Sequence, residues 1–154
     1  MIAAVIVFLG YTGVMVRIDE RLKTRGSGII AFELAGTAER AEHIMAAWGH
    51  DGRRDARASL RLDFGYMLTY GILLALLVDR ARRRHAHSAA LPWLAVPAVA
   101  ADAVEGIALL KVLQRNDIDA NTRRARTAAL IKFGILAIGL GYAATWPRNG
   151  KRPG

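Results

Sequence analysis

The sequence predicts an all-α integral membrane protein, a four-helix bundle with an amphipathic interfacial helix in its first loop. Three observations predict this class: four long apolar runs, charged residues concentrated between them, and helical periodicity in the first connection. Hydrophobic residues make up 53% of the chain and charged residues 23%, so the two kinds must be segregated along the sequence. The length of 154 residues predicts one transmembrane domain that covers residues 1–154.

Four apolar runs are the predicted membrane spans: 1–16, 60–78, 91–113 and 127–146. A helix needs about 20 mostly apolar residues to cross the hydrocarbon, and the last three runs have that length. The first run is shorter, so we expect it to tilt or to thin the bilayer locally. It is predicted to be an uncleaved span, because it lacks the basic start and the small-residue cleavage site of a signal peptide. Residues 70–78 and 91–101 are apolar on every face, which favours a membrane protein over a soluble bundle.

The first connection holds the predicted interfacial helix. Residues 28–48 predict an amphipathic helix with a break at Gly36 and a stop at Gly49, and Thr37 is a favourable N-cap for the part that begins at Ala38. Apolar residues recur there at spacings of three and four: Ile30, Leu34, Ala38, Ala41, Met45 and Trp48. The favoured interpretation is a helix on the membrane surface with its tryptophan at headgroup level. The other interpretation is a lid over a cavity between the spans.

Basic residues in the connections predict the orientation and the location. Connections 17–59 and 114–126 carry more Lys and Arg than connection 79–90 and the C-terminal tail together. This bias predicts that both long connections are cytoplasmic and both termini outside, although the cluster Arg80–Arg84 argues the other way. The predicted location is the inner (plasma) membrane, with several passes through it and the lipid bilayer as a partner.

Ionisable residues inside the predicted spans mark the candidate site, because such residues are costly in a membrane and face its protein interior. One face of the second span carries Asp63, Tyr66 and Tyr70, spaced at i, i+3 and i+7. One face of the third span carries Asp102 and Glu105, and all these groups fall in the same half of the bilayer. A polar pocket is expected there, opened by a kink at Pro97. The predicted ligand-binding residues are Glu33, Asp63, Tyr66, Tyr70, Asp102, Glu105 and Lys132.

The same residues also allow a structural interpretation. Two carboxylates one helical turn apart resist joint ionisation in an apolar medium. The pair Asp102 and Glu105 therefore requires a shared proton, Lys132 as a counter-ion, or a bound cation. Asp63 would then pair with Arg61 or with interfacial water, and the tyrosines would pack as ordinary interior residues. The carboxylates also suit Mg²⁺ or Ca²⁺ in kind, although acids at this spacing are common and the identity of any metal stays open.

Three functions are compatible with this pattern. The first is binding or transport of a cation, a proton or an amphiphilic small molecule, and a transport path through so few spans would need a homo-oligomer. The second is a non-catalytic structural membrane subunit whose acids are satisfied internally. A lipid-modifying enzyme ranks third, because the sequence holds no recognisable nucleophile or metal motif. The chain is therefore expected to be a non-enzyme, and no cofactor is predicted.

Two further classes are disfavoured by composition. The chain has no cysteine, which excludes thiol catalysis, thiolate zinc sites and iron–sulfur clusters. Its formal net charge of +9 could suit nucleic acid, but the basic residues lie in short connections between apolar runs and no nucleic-acid motif is present. No nucleic-acid partner is predicted.

Several short motifs resemble a pattern in small four-span bacterial integral membrane proteins that have no known activity. The motifs are Phe32-Glu33-Leu34-Ala35-Gly36-Thr37, Ala47-Trp48-Gly49, Asp63-Phe64 with Tyr70, and Asp102-x-x-Glu105-Gly106. The resemblance covers most of residues 28–113. It implies the four-span architecture and no activity.

Overall fold

The computed structural model describes residues 1–145, and within that range it is all-helical, with no strand. Its helices are α1 (Ile2–Lys23), α2 (Ile29–Glu33), α3 (Ala38–His85), α4 (Ala95–Leu113) and α5 (Ile118–Ala144). A short 3-10 helix, Leu91–Leu94, leads directly into α4. α1 packs along α3, while α4 packs against both α3 and α5.

Four of these helical segments are long and apolar enough to cross a membrane, as the sequence predicts: Ile2–Lys23, Ala38–His85, Leu91–Leu113 and Ile118–Ala144. Three of them extend beyond the predicted spans, because the flanking Arg, Lys, Glu and Ala residues are good helix formers. The predicted end of the last span at Trp146 lies outside the described residues, as do the basic residues of the tail.

Gly49 breaks the helical backbone between the loop helix and the second span. Its φ of 62° and ψ of −162° are not helical, and a second helical part begins directly after it and runs to His85. The expected stop of the loop helix at Gly49 is therefore confirmed, but no loop separates the two parts of α3. The expected N-cap is confirmed, because Thr37 Oγ1 accepts a hydrogen bond from the backbone N–H of Arg40 at 3.3 Å.

The predicted break at Gly36 is confirmed, and it leaves α2 as a separate short helix. Gly36 has φ 76°, and a Cβ built there would lie 2.7 Å from a guanidinium nitrogen of Arg126. α2 is fixed at its other end to α1, because the backbone N–H of Ile29 donates to Asp19 Oδ1 at 2.7 Å. The segment that contains α2 is therefore in contact with α1 at its start and with α5 after its end.

The apolar stripe of the loop helix packs into the protein core. Trp48 is only 2% exposed, its indole Nε1 donates to the carbonyl of Ser27 at 2.6 Å, and its ring lies 5.0 Å from that of Phe32. Trp48 is therefore buried within the protein instead of lying at headgroup level as expected. Ile30 is exposed, because the break after α2 separates it from the rest of the stripe.

Pro97 does not kink the middle of the third apolar segment. It lies in the first turn of α4, where a missing backbone N–H costs no intrahelical bond. The irregularity comes earlier, where the 3-10 helix changes to α-helix at Ala95. At the other end, α4 and α5 are joined by four residues, two of which, Arg115 and Asp117, adopt positive φ values. This tight connection makes α4 and α5 an antiparallel hairpin.

Candidate functional site

A cavity of about 400 Å³ contains most of the predicted site residues. Six of the seven line it directly, and they come from three long helices and from α2: Glu33, Asp63, Tyr66, Tyr70, Asp102 and Lys132. Glu105 lies behind this wall and reaches the site through Lys132. The predicted site residues therefore lie together, as the spacing and depth of the charged residues in the sequence predicted. Their contacts, described next, bear on what the cluster can do.

Lys132 of α5 lies at the centre of the acidic groups. Its Nζ is 2.8 Å from Asp102 Oδ1, 2.8 Å from Glu105 Oε2 and 3.9 Å from Glu33 Oε2. Lys132, Asp102 and Glu105 are all buried. A buried ammonium group is tolerated only when carboxylates compensate for its lost hydration, so these contacts stabilise the packing of α4 against α5.

Asp102 links the ion pair to the tyrosines of α3. Its second carboxylate oxygen, Oδ2, accepts a hydrogen bond from the Tyr70 hydroxyl at 2.6 Å, while Oδ1 binds Lys132. Both oxygens of Asp102 therefore have partners, and its orientation is fixed from two helices. A carboxylate held in this way is a poor candidate for binding a ligand by displacement.

Tyr66 occupies the side of the cavity formed by α1. Its hydroxyl is 3.2 Å from Thr12 Oγ1 and the two groups share a hydrogen bond, while its ring stacks on Phe8 with centroids 5.5 Å apart. Neither Thr12 nor Phe8 was predicted, because the apolar part of α1 carries no Asp, Glu, Lys or Arg to mark it. The available signals were the hydroxyl groups of Tyr11 and Thr12 within an otherwise apolar run, and the Tyr11 ring does lie 6.5 Å from that of Tyr66.

Asp63 is the acidic group with the fewest partners. Its carboxyl group lies close to that of Asp102 and lines the cavity. Within residues 1–145 no Lys or Arg makes an ion pair with it, so the expected pairing with Arg61 does not form. Asp63 is half-buried and accessible from the cavity. It is therefore the carboxyl group that a ligand could contact without displacing a protein partner.

Glu33 enters the cluster from α2, not from a span. Its side chain is buried and lies near both Lys132 and Glu105. Burial raises the pKa of the Glu33 carboxyl group, and the attraction of Lys132 opposes that effect. α2 thus closes one end of the site with a polar side chain.

Glu105 has one oxygen atom that remains incompletely satisfied. Oε2 lies at ion-pair distance from Lys132, but the angles there do not form a hydrogen bond. Among the described side chains it is the one fully buried nitrogen or oxygen atom without a hydrogen bond. Buried polar atoms rarely lack a hydrogen bond, and here the nearby charge of the Lys132 ammonium group compensates for the missing one.

The cluster contains more acid than base. Four carboxyl groups, those of Glu33, Asp63, Asp102 and Glu105, surround the single ammonium group of Lys132. Carboxylates in such surroundings require neutralisation, by protons or by a cationic group that enters the cavity. Among residues 1–145, no group of three or more His, Asp or Glu side chains is arranged to hold a metal ion.

Apart from Asp19, which binds the backbone N–H of Ile29 and Lys23, the rest of the cavity wall is apolar and reaches the protein surface. Side chains such as Leu73, Leu77 and Leu136 line it next to the tyrosines. Val16 of α1 and Leu140 of α5 also line the cavity, and they are 51% and 50% exposed. The cavity therefore opens through the apolar surface between α1 and α5, and not only at the charged end of the helices.

Comparison with known proteins adds no relative to this description. No family model, no curated protein and no solved structure matches the chain. The chemistry of the site is therefore argued from its own geometry.

Proposed function

We propose that this chain is a multi-pass protein of the plasma membrane that binds an amphiphile with a cationic head group in its acidic cavity. The membrane part of the proposal is supported by four long apolar helices and by the large apolar side chains that they expose. Examples on the outer surface are Ile6, Ile72, Trp93 and Ile138, each more than half exposed. In this arrangement the four helices form a transmembrane bundle, and α2 with the first part of α3 lies at the cytoplasmic end.

The single observation that carries the ligand proposal is the two-part character of the cavity. One end holds the acidic excess and two tyrosine hydroxyls, and the other is apolar and opens at the protein surface, which would face lipid in the proposed arrangement. Its volume of about 400 Å³ falls within the range of small-molecule sites. An ammonium head group beside Asp63 would supply positive charge to the cluster, while an alkyl chain would lie along Leu73 and Leu77.

The test uses dodecylammonium as the probe, added to protein in detergent and measured by native mass spectrometry. Asp63→Asn is the informative variant, because Asp63 has no cationic partner among the described residues and its loss leaves the contacts of Lys132 intact. We expect the wild type to retain the probe and Asp63→Asn to bind it at least about tenfold more weakly, the loss of one charge-assisted hydrogen bond. Asp51→Asn, an exposed carboxylate on the same helix, is the matched control.

Three outcomes would contradict the proposal. The first is equal binding of dodecylammonium by the wild type and by Asp63→Asn. The second is equal retention of dodecanol, which has the same chain and no charge. Binding of dodecanoate in place of dodecylammonium would likewise show that the acidic groups do not select the head group.

A second candidate function is a non-catalytic structural subunit, and the contacts of Lys132 favour it. Asp102 and Glu105 are already paired with this ammonium group in the interior, as a structural role requires. The open cavity that reaches Asp102 favours ligand binding instead, so the two candidates rest on different parts of one cluster. Transport of a cation or proton remains a prediction that requires a homo-oligomer. The resemblance to small four-span membrane proteins stays a prediction about architecture.

A further inference from the structure

A row of basic residues on α3, here called the arginine stripe, forms a separate groove outside the acidic cavity. The groove has a volume of about 590 Å³ and is lined by His50, Arg53, Arg54, Arg57, Ala58 and Arg61. Their spacing of three and four residues places them all on one face of the helix. Asp63 follows Arg61 by two residues, which is about 200° around the helix at 3.6 residues per turn. The stripe and the acidic cavity therefore occupy different sides of α3.

The arginines of the stripe are mostly free of acidic partners. Within residues 1–145, no carboxylate makes an ion pair with Arg54, Arg57 or Arg61. The two acids within this stretch do not pair with these arginines: Asp55 binds Arg25 at 2.9 Å, and Asp51 contacts His50 of the stripe at 3.4 Å. The stripe is thus a concentration of uncompensated positive charge, which an ordinary solvated helix face with mixed charges would not have.

The position of the stripe along α3 indicates what it meets. It lies between the bend at Gly49 and the apolar part of the helix, which exposes Leu62 and Leu68 just beyond Arg61. In a helix that enters a bilayer at this point, side chains one to three turns before the apolar part lie at the level of the lipid phosphates. Arginine suits this position, because its planar guanidinium group binds phosphate oxygens in pairs.

We propose that the arginine stripe binds a phosphate group, and that its source is the headgroup of an anionic phospholipid. The proposal rests on the membrane insertion proposed above and not on any ligand of the acidic cavity. Two or more guanidinium groups reach one headgroup from consecutive turns, and the acyl chains lie against the exposed leucines beyond Arg61. Free phosphate offers the same oxygens without the chains, so the experiment must separate the two sources.

Native mass spectrometry of the full chain in detergent measures the binding of phosphatidylglycerol, phosphatidylcholine and inorganic phosphate. The test variant is R54Q/R57Q/R61Q. The matched control is R83Q/R115Q/R123Q, which removes the same charge from exposed arginines outside the stripe that each pair with a carboxylate. We expect phosphatidylglycerol to bind the wild type more tightly than phosphatidylcholine does. Each arginine near an anionic surface contributes about fivefold, so the stripe variant should bind phosphatidylglycerol at least about tenfold more weakly.

Helical content and melting temperature of both variants should match those of the wild type, since the side chains are on the surface. Equal affinity for the two lipids, or the same loss in the control variant, would overturn the proposal. Tight binding of inorganic phosphate without binding of phosphatidylglycerol would overturn the lipid source. Failure of the membrane premise is distinguishable, because the chain would then partition into the aqueous phase without detergent. Failure of dodecylammonium binding to the acidic cavity would leave this result unaffected.

Discussion

Lys132 of α5 is the residue around which the acidic groups of α2, α3 and α4 form one cluster. Its ammonium group is shared between Asp102 and Glu105 at equal distances, and Glu33 lies at the limit of ion-pair contact. A single positive charge in this position stabilises the carboxylates around it, but it also depends on them for its own burial. The cluster therefore behaves as one unit, in which removing the central charge costs more than removing any one acid.

The first prediction concerns that central charge. Lys132→Met keeps an unbranched chain but leaves Asp102 and Glu105 buried without a cation. Breaking a buried pair in this way costs about 3–5 kcal/mol, so we expect a marked fall in the melting temperature measured in detergent. Asp102→Asn should cost less, because Lys132 retains Glu105.

Lys23→Met is the matched control, because Lys23 pairs with Asp19 and Glu20 in an exposed position. An exposed pair contributes about 0–1 kcal/mol, so this change should leave the melting temperature almost unaltered. A variant Lys132→Met no less stable than Lys23→Met would show that the central ion pair does not support the packing. The structural-subunit alternative would then lose the observation that favours it.

At the residue scale, the sequence predicted which residues come together better than it predicted which of them pair with one another. Helical periodicity placed Asp63, Tyr66 and Tyr70 on one face, and charge in apolar runs is conspicuous. The rotation of α4 and α5 about their axes determines which carboxylates pair with Lys132. The same rotation determines that Asp63 has no cationic partner among the described residues. No pattern within one helix fixes that rotation.

At the element scale, α3 is predicted in part. The sequence predicts a stop at Gly49 from its place after an amphipathic stretch, and the backbone is broken there in a conformation that residues other than glycine avoid. It does not predict that helix begins again directly after Gly49, ahead of the expected start of the second span at residue 60. Residues 50–59 include Arg and Ala and no proline, so they continue as helix. A glycine predicts the break, but the residues after it determine whether a loop or a second helix follows.

The second prediction tests this bend. Gly49→Ala introduces no collision, since nothing lies within 4 Å of a Cβ built there, but φ 62° with ψ −162° is essentially restricted to glycine. Holding alanine in such a conformation costs about 1–3 kcal/mol, so the melting temperature should fall. The measurement is thermal unfolding in detergent followed by circular dichroism.

Gly134→Ala is the control for Gly49→Ala, because Gly134 also has open space around its Cβ position but lies inside regular helix. Alanine there should be neutral or stabilising by up to about 1 kcal/mol, from helix propensity alone. If both variants were equally stable, position 49 would not require glycine. The bend would then be determined by the packing of the two parts of α3 and not by the backbone conformation of this residue.

At the scale of the whole molecule, the sequence predicted four long apolar helices, and the structure has them. It could not predict how the first loop folds back. Trp48 was expected among lipid headgroups because amphipathic helices with tryptophan often lie there. It is buried instead, because α2 brings Phe32 and the Ser27 carbonyl over it. An apolar stripe does not reveal whether lipid or protein covers it.

The third prediction is the topology. The chain has no cysteine, so single cysteines at exposed positions report their side of the membrane without a background. Thr24→Cys and Asn116→Cys should react with a membrane-impermeant maleimide from the same side, and Ser88→Cys from the opposite side. The readout is the mass shift of protein in intact and in permeabilised cells. Labelling of Thr24→Cys and Ser88→Cys from the same side would reject the four-pass arrangement.

The tight connection between α4 and α5 bears on how charged residues could enter a bilayer at all. A single Asp, Lys or Arg at the centre of an isolated helix raises the free energy of insertion by about 2.5–3.5 kcal/mol. Asp102 and Lys132 belong to successive helices joined by only four residues, and they meet directly across that hairpin. The two helices can therefore associate before either is surrounded by lipid. During biosynthesis α4 and α5 would then leave the translocon together. Lys132 would already be paired with Asp102, which would offset the cost of inserting that carboxylate into the bilayer with α4 alone.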